Sequence, residues 1–376
     1  MKRAMAWTAA IWLAACSGGG NGGDAGLDAD GAHPTDDNGN ACGTQQCLSS
    51  EICVNASVCV SKPDTAAQGC VEVQENVYQC TEAADLSCHN VAPCTADIDC
   101  PQDAAGKPLR CRGGFCAVPL PDATPATVTY RGCVDAFGIN QNTVGTRLAV
   151  YSGSQDPTKA SSLDVEVVED REHCSSYGSF SIADVPTNTP LIVKSYDPNG
   201  GFVTTYKYNV VLWADLAVDE GGGNFVFDAR TKVQDPRTGS EIELLPWRGY
   251  AISQATYNVI LLTLGISRLP TGHGAVAGTI RDCRYRPVKG ARCGFVQAPD
   301  QIAYFNNAEN PRPDKAQKST NNNGLYAGID LPAGDHRLSC VAQDGQGQLV
   351  PLGEIRFKVF GDGITIVNLD WAPGLP

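Results

Sequence analysis

The feature that most limits how this chain can fold is a nine-residue run that occurs twice. Gly178-Ser-Phe180-Ser-Ile-Ala-Asp184-Val185-Pro186 returns as Gly324-Leu-Tyr326-Ala-Gly-Ile-Asp330-Leu331-Pro332, 146 residues further on. Glycine, aromatic, aspartate, aliphatic residue and proline recur at the same places. At the same offset Gly132-Cys-Val134 falls on Gly278-Thr-Ile280, so the register is shared across more than fifty residues. A shared register of that length predicts two copies of one domain, a tandem pair and not a solenoid. Around the first copy short alternating runs recur between Gly, Pro, Asn and Asp, at 127–134, 148–151, 163–168, 179–185 and 191–196. In Leu163-Asp164-Val165-Glu166-Val167 the apolar residues take one face and the carboxylates the other, the pattern of a half-buried strand. One stretch departs from this texture. Tyr257, Ile260, Leu261 and Leu264 sit at helical spacing behind Ser253, a candidate N-cap, and before Gly265, a candidate stop. Its β-branched residues leave both helix and strand open.

The second copy also carries Gly278-Thr-Ile280-Arg-Asp282, Pro287-Val288-Lys-Gly290-Ala291, Asn323-Gly324-Leu-Tyr326 and Leu331-Pro332-Ala333-Gly334. Together these resemble the carboxypeptidase regulatory-like family, a transthyretin-like β-sandwich appended to many secreted proteins. Gly290 and Gly334 would supply tight turns, and Pro287 would fix a turn or strand start. The first copy lacks the Pro-Val-x-Gly-Ala segment, and the likeness is weaker there. The resemblance implies an all-β chain of tandem transthyretin-like or Ig-like sandwiches, the first at 121–270 and the second at 271–376. The family pattern carries no chemistry of its own.

Seventeen cysteines would be out of place in a reducing cytosol, and they predict a disulfide framework in an oxidising compartment. Cys42, Cys47, Cys53 and Cys59 form one cluster and Cys94, Cys100, Cys111 and Cys116 another, with Cys70, Cys80 and Cys88 between them. The second cluster resembles the short repeats of Dickkopf-like secreted proteins. Residues 42–120 therefore read as a small disulfide module that buries too little apolar surface to hold without staples. Of the sixteen cysteines from Cys42 onward, eleven precede residue 120 and five follow it, so at least one bridge should join the module to the β-domains. Cys133 and Cys174, alone in the first copy, are expected to pair. In the last domain Cys293 with Cys340 is the most plausible pair, leaving Cys283 for the module. No Cys-x2-Cys pair exists and His89 is the one histidine nearby, so no metal is expected.

The N-terminus opens on Lys2 and Arg3, continues through an apolar stretch at 4–13 and reaches Leu13-Ala14-Ala15-Cys16. A basic start, a short apolar core and small residues before the cut describe a signal peptide, too short for a span of about 20 residues. Leu13, Ala14, Ala15 and Cys16 resemble the bacterial lipobox, which implies cleavage after residue 15 and lipidation of Cys16. In a Gram-negative host, Ser17 after the cysteine resembles the default sorting pattern for the outer membrane. Residues 16–41 are Gly, Asp, Ala and Asn with almost nothing to bury, and are expected to be a disordered tether. Asp28, Asp30, Asp36 and Asp37 lack the glycine and glutamate register of a calcium loop. A net charge of −13 disfavours nucleic acid as a partner.

A search for chemistry finds no His-Glu-x-x-His, Gly-x-Ser-x-Gly or Gly-Lys-[Ser/Thr] pattern. Gly265-Ile-Ser267-Arg-Leu lacks the final glycine of a nucleophile elbow. Gly272-His-Gly274-Ala-Val-Ala-Gly278 is glycine-rich but leads into a strand, not a helix, and reads as an interdomain linker. Glu169, Asp170, Glu172 and His173 are the densest ligand-type cluster, and adjacent positions at a strand end should splay toward solvent. His273 and His336 read as surface residues. Expected, then, are no catalytic residues, no cofactor and no metal. The chain reads as a non-catalytic envelope or cell-surface lipoprotein that binds, adheres or spaces, with the membrane reached through its lipid and a protein or polysaccharide as ligand. Loops at 306–317 and 321–323 are where a ligand would be met. Two alternatives stand beside it. One is a hydrolase whose site is too scattered to show as a motif. The other is a carbohydrate-binding protein presenting Trp213, Trp247 or Trp371.

Overall fold

The repeated run builds the same antiparallel strand pair twice. The computed structural model describes residues 40–86, 98, 110–117 and 125–369, less 55–56, 75–76, 113–114, 139–140, 153–154, 235–240, 245–246, 298, 300 and 308–310. Twelve strands carry the two copies. In the first they are β1 (Thr127–Phe137), β2 (Arg147–Ser152), β3 (Gly178–Pro186), β4 (Leu191–Tyr196), β5 (Thr205–Val210) and β6 (Phe225–Asp228). In the second they are β7 (His273–Thr279), β8 (Arg292–Phe295), β9 (Leu325–Pro332), β10 (Gly334–Gln343), β11 (Leu349–Val359) and β12 (Ile364–Ile366). β3 runs antiparallel to β1 with Phe180 opposite Gly132, and β9 antiparallel to β7 with Tyr326 opposite Gly278. Each glycine makes room for the ring across from it. A Cβ on Gly132 would lie 2.8 Å from the Phe180 ring, and one on Gly278 3.0 Å from that of Tyr326.

The aspartates of the run have an equally local reason. Both strand pairs shift register at this point, and Asp184 and Asp330 take left-handed backbone at φ 59° and 68°. A β-bulge needs an extra residue in such a conformation, and aspartate tolerates it better than most. β6 then lies parallel to β1 with Val226 opposite Thr129, as β12 lies parallel to β7 with Ile364 opposite Ala275. The facing sheets are ordered β2-β4-β5 and β8-β10-β11. The chain is all-β, two tandem sandwiches with one strand order.

The sandwiches are joined edge to edge. A single nine-stranded sheet runs from 163–166 through β2, β4, β5, β12, β7 and β9 to 301–305 and 313–314. β12 lies between β5 and β7, parallel to both. The glycine-rich segment from Gly272, expected as a linker, is therefore largely the central strand β7. Its glycines permit close approach. A Cβ on Gly274 would strike the Phe360 carbonyl, and one on Gly278 would fall inside the Val367 carbonyl oxygen. Composition alone cannot separate that use of glycine from flexibility.

The helix-or-strand question at 253–264 resolves as α1 (Gln254–Thr263), with the Ser253 hydroxyl accepting the Thr256 N–H at 3.1 Å and Gly265 at φ 77° beyond its end. Cap, stop and apolar face together outweigh the β-branched residues. Ile260 and Leu261 pack on the nine-stranded sheet beside Ala275, Ile364 and Ile366. Trp213 and Trp247 are 2% and 6% exposed in the first core, with Tyr130, Phe180 and Phe227. They are core residues, which corrects the reading of either as a glycan platform; Trp371 lies outside the described residues.

The cysteine module adds a layer to the second sandwich. Its hairpins 51–54/58–61 and 68–74/77–83 are stapled by Cys42–Cys53, Cys47–Cys59 and Cys70–Cys80. Gly69 pairs with Val288, Ala67 and Leu86 enter the second core, and Val54, Val58 and Val60 cover Val341. Cys88, Cys94, Cys100 and His89 lie outside the described residues, as do residues 1–39, with Cys16, the expected lipobox and most of the expected tether. Cys111 and Cys116 are strand partners between 110–112 and 115–117.

Candidate functional site

Where β5 of the first half meets the end of β8 and the β10–β11 hairpin of the second, the surface folds into a cleft of about 560 Å³. Clefts of this size at the junction of two units are common places for ligands. Tyr208 comes from the first half; Gln297, Asp335, His336, Arg337 and Arg356 come from the second. Register explains the charge. Arg337 and Arg356 are direct partners across β10 and β11, where like charges repel unless an anion serves both. Glu354 serves both loosely, 3.9 Å from Arg337 Nη1 and 3.6 Å from Arg356 Nε. Its other oxygen accepts the Ser57 hydroxyl at 2.6 Å. Those ion pairs are too long to count as hydrogen bonds, so among the described residues neither guanidinium donates one. Two planar donor forks thus stand open on one face, at 43% and 62% side-chain exposure.

His336 corrects the surface reading. It is 4% exposed because the two-residue alternation of β10 puts it on the face of Leu338 and Cys340, inside the second core. Its ring stacks on Phe357, and Nε2 donates to the Pro332 carbonyl at 2.7 Å. His273 is one-third exposed, with Nδ1 2.5 Å from the bulge residue Asp330. Burial, with Asp335 second, raises the Tyr208 hydroxyl, which stays a neutral donor.

The ligand-type cluster of the first half does not converge. Asp170 accepts from the His173 N–H at 3.0 Å, faces His173 Nδ1 at 3.0 Å and takes Arg230 Nη1 at 3.1 Å, while Arg230 Nη2 holds Asp228 at 2.6 Å. Glu169 pairs with Arg171 instead, and Glu172 is exposed. Among the described residues, the groups with metal-like spacing are Cys42, Cys47, Cys53 and Cys59 with Glu51, and those thiols are already in disulfides. Burial pulls the Asp228 carboxyl upward, but hydrogen bonds from the Arg230 side chain and backbone outweigh it and hold it below the usual range; Asp170 is lowered by His173 and Arg230 against the same burial. A depressed carboxylate lends stability above its unfolded pKa of about 4, and that stability is lost as pH falls through the folded value. Thermal midpoints should therefore fall more steeply below about pH 4 in the native protein than in Arg230→Ala. Equal acid slopes in the two would show that the network lends no stability.

Cys133 and Cys174 are bridged with Cα atoms 5.5 Å apart, and Cys293 and Cys340, facing each other across β8 and β10, with Cα atoms 4.0 Å apart. Cys283 is disulfide-bonded as well. The turn 321–323 is built inward, which corrects its reading as a recognition loop. Asn323 is 4% exposed, with its amide on the Asn306 carbonyl, and Asn322 reaches the Tyr78 carbonyl of the module. In 306–317, residues 313–314 pair with 304–305 and close the edge of the nine-stranded sheet.

No family model matches the chain, and no curated protein matches it. Among solved structures the chain is similar to the shaft pilin SpaA from Lactobacillus rhamnosus GG, at 8% identity, 64% of this chain, 96% of that chain and a TM-score of 0.17. A mutant of the same pilin aligns at 8% identity over 65% of this chain and 100% of that one, again with a TM-score of 0.17. Overlap at that score does not establish a shared fold, and the architecture above rests on strand pairing. No helix among the described residues is long and apolar enough to cross a membrane.

Proposed function

We propose that this chain is a non-catalytic lipoprotein of the bacterial envelope or cell surface, anchored through Cys16, whose rigid body presents a binding cleft to a carboxylate-bearing polysaccharide. The observation that carries the reading is the facing pair Arg337 and Arg356, which line the junction cleft and donate no hydrogen bond among the described residues, with Glu354 reaching them only at ion-pair distance. Arginine forks match carboxylates in two-point geometry. Tyr208 and Phe357 add aromatic walls beside them. Three features give the cleft a stiff mounting: the continuous nine-stranded sheet, the bridges in both sandwiches and the docked module. The anchor rests on the sequence pattern at residues 13–16, and the sorting of Ser17-type lipoproteins supports the outer membrane.

The test uses the full chain against immobilised uronate polymers and their neutral counterparts. Binding should favour the acidic polymer, weaken with salt and drop about tenfold or more in Arg337→Ala/Arg356→Ala. Binding that is absent, or unchanged in the double variant, rejects the cleft. Release of shortened polymer would reject the non-catalytic part. Separately, metabolic labelling with a palmitate analogue should mark the native protein and not Cys16→Ala.

A further inference from the structure

A second cavity lies beneath α1, away from the arginine cleft. A helix laid on a sheet normally interlocks with it and leaves voids no larger than a water or two. Here about 100 Å³ remains between α1 and the nine-stranded sheet. The cause is in the sequence of the second copy. Ala275, Ala277 and Ala327 line the cavity from β7 and β9, where the matching positions of the first copy are Thr129, Arg131 and Ser181. Tyr257 and Ile260 line it from α1, and Phe137 joins them from β1 of the first half. The small residues keep open a space that larger aliphatics would fill.

The wall carries one polar group whose direction is set. Asn368 Oδ1 accepts the Thr279 N–H at 3.0 Å, so the amide cannot rotate without placing N–H against N–H. Its Nδ2 is buried and has no partner among the described residues, although Asn368 lines the cavity. A buried donor left unmade is costly and calls for an explanation. A lone water explains it poorly, because a buried water needs two to four polar partners and these walls are almost wholly apolar. Tyr257 stays a neutral phenol, since burial, with Asp362 and Asp330 nearby, pushes its pKa up to about 12. No charged side chain lines the cavity.

We infer that this cavity binds a small neutral apolar molecule with one hydrogen-bond acceptor, such as a ketone, lactone or ester group, received by Asn368 Nδ2. Size sets the scale: a cavity of about 150 Å³ admits a benzene ring with space around it, so this one takes at most a single small ring or a short acyl group. The first half contributes Phe137, which packs edge-on against Phe305 at 5.7 Å, so the site exists only when the two halves are joined.

Cyclopentanone and cyclopentane, alike in shape and different in the acceptor, test this on the full chain. Methyl resonances of Ile260, Ile364 and Ile366 should shift saturably with the ketone, which should bind about tenfold more tightly than the hydrocarbon. Asn368→Leu should erase that preference, and Ala277→Leu should abolish binding of both rings. The native comparison stands if either variant fails to fold. Absence of saturable shifts, equal affinity for the two rings, or a preference that survives in folded Asn368→Leu overturns the inference.

Discussion

Replacing Asp282 by alanine is expected to destabilise the protein by about 3–5 kcal/mol and to loosen the cysteine module from the second sandwich. Asp282 is fully buried, and five donors converge on it. The backbone N–H groups of Arg284 and Arg286 reach it at 2.9 Å each, Arg286 Nε at 3.0 Å and Nη2 at 2.8 Å, and the Asp85 N–H of the module at 3.1 Å. Arg286 is itself buried and bonds Glu82 through its remaining nitrogen. Removing the carboxylate strands a buried guanidinium, beyond simply deleting a hydrogen bond, and that is where the large cost arises. Asp282→Asn keeps an acceptor but no charge and should fall between the two. Urea unfolding would give the size of the loss. Limited proteolysis within 61–86 would show whether the module comes away first. A change below about 1 kcal/mol would mean that the module docks through its apolar contacts alone.

Gly278→Ala is expected to be the more severe of two matched substitutions, above about 4 kcal/mol or failing to fold, with Gly132→Ala at about 1–3 kcal/mol. The positions are equivalent in the repeat, and their surroundings differ. At Gly132 a new methyl meets the Phe180 ring at 2.8 Å, a side chain that can shift, and the Ala229 methyl at a milder 3.2 Å. At Gly278 it meets the Val367 backbone, which cannot retreat without breaking two bonds. The Val367 N–H donates to the Ala277 carbonyl at 2.8 Å, and its own carbonyl accepts the Tyr326 hydroxyl at 2.5 Å. Those bonds hold the chain just after β12, the strand that joins the halves. Thermal midpoints of the two variants, measured side by side, decide the order. The reverse order would mean that the seam at β12 yields more readily than the first core.

What the amino-acid sequence determined by itself is local. The paired runs around Phe180 and Tyr326 carry their own bulge, because the left-handed aspartate is a property of a few adjacent residues, whereas the glycine opposite each ring lies 48 residues upstream and meets it only through strand pairing. Period-two alternation marked the strands for the same reason, and Ser253 with Gly265 framed α1. What only the tertiary structure decided depends on which distant strands meet. β12 is three residues of aliphatic and threonine, and nothing in it names β5 and β7 as neighbours. Gly272-His-Gly274-Ala-Val-Ala-Gly278 reads as a flexible linker until the Phe360 carbonyl is seen against Gly274 and the Val367 carbonyl against Gly278. Trp213, Trp247 and His336 are surface or core according to the sheet that covers them. Arg337 and Arg356 are nineteen residues apart and become a facing pair only through the register of β10 on β11. Side-chain spacing and backbone preference act over a turn or a strand, whereas pairing, burial and the clefts between halves arise from contacts that chain neighbours cannot encode.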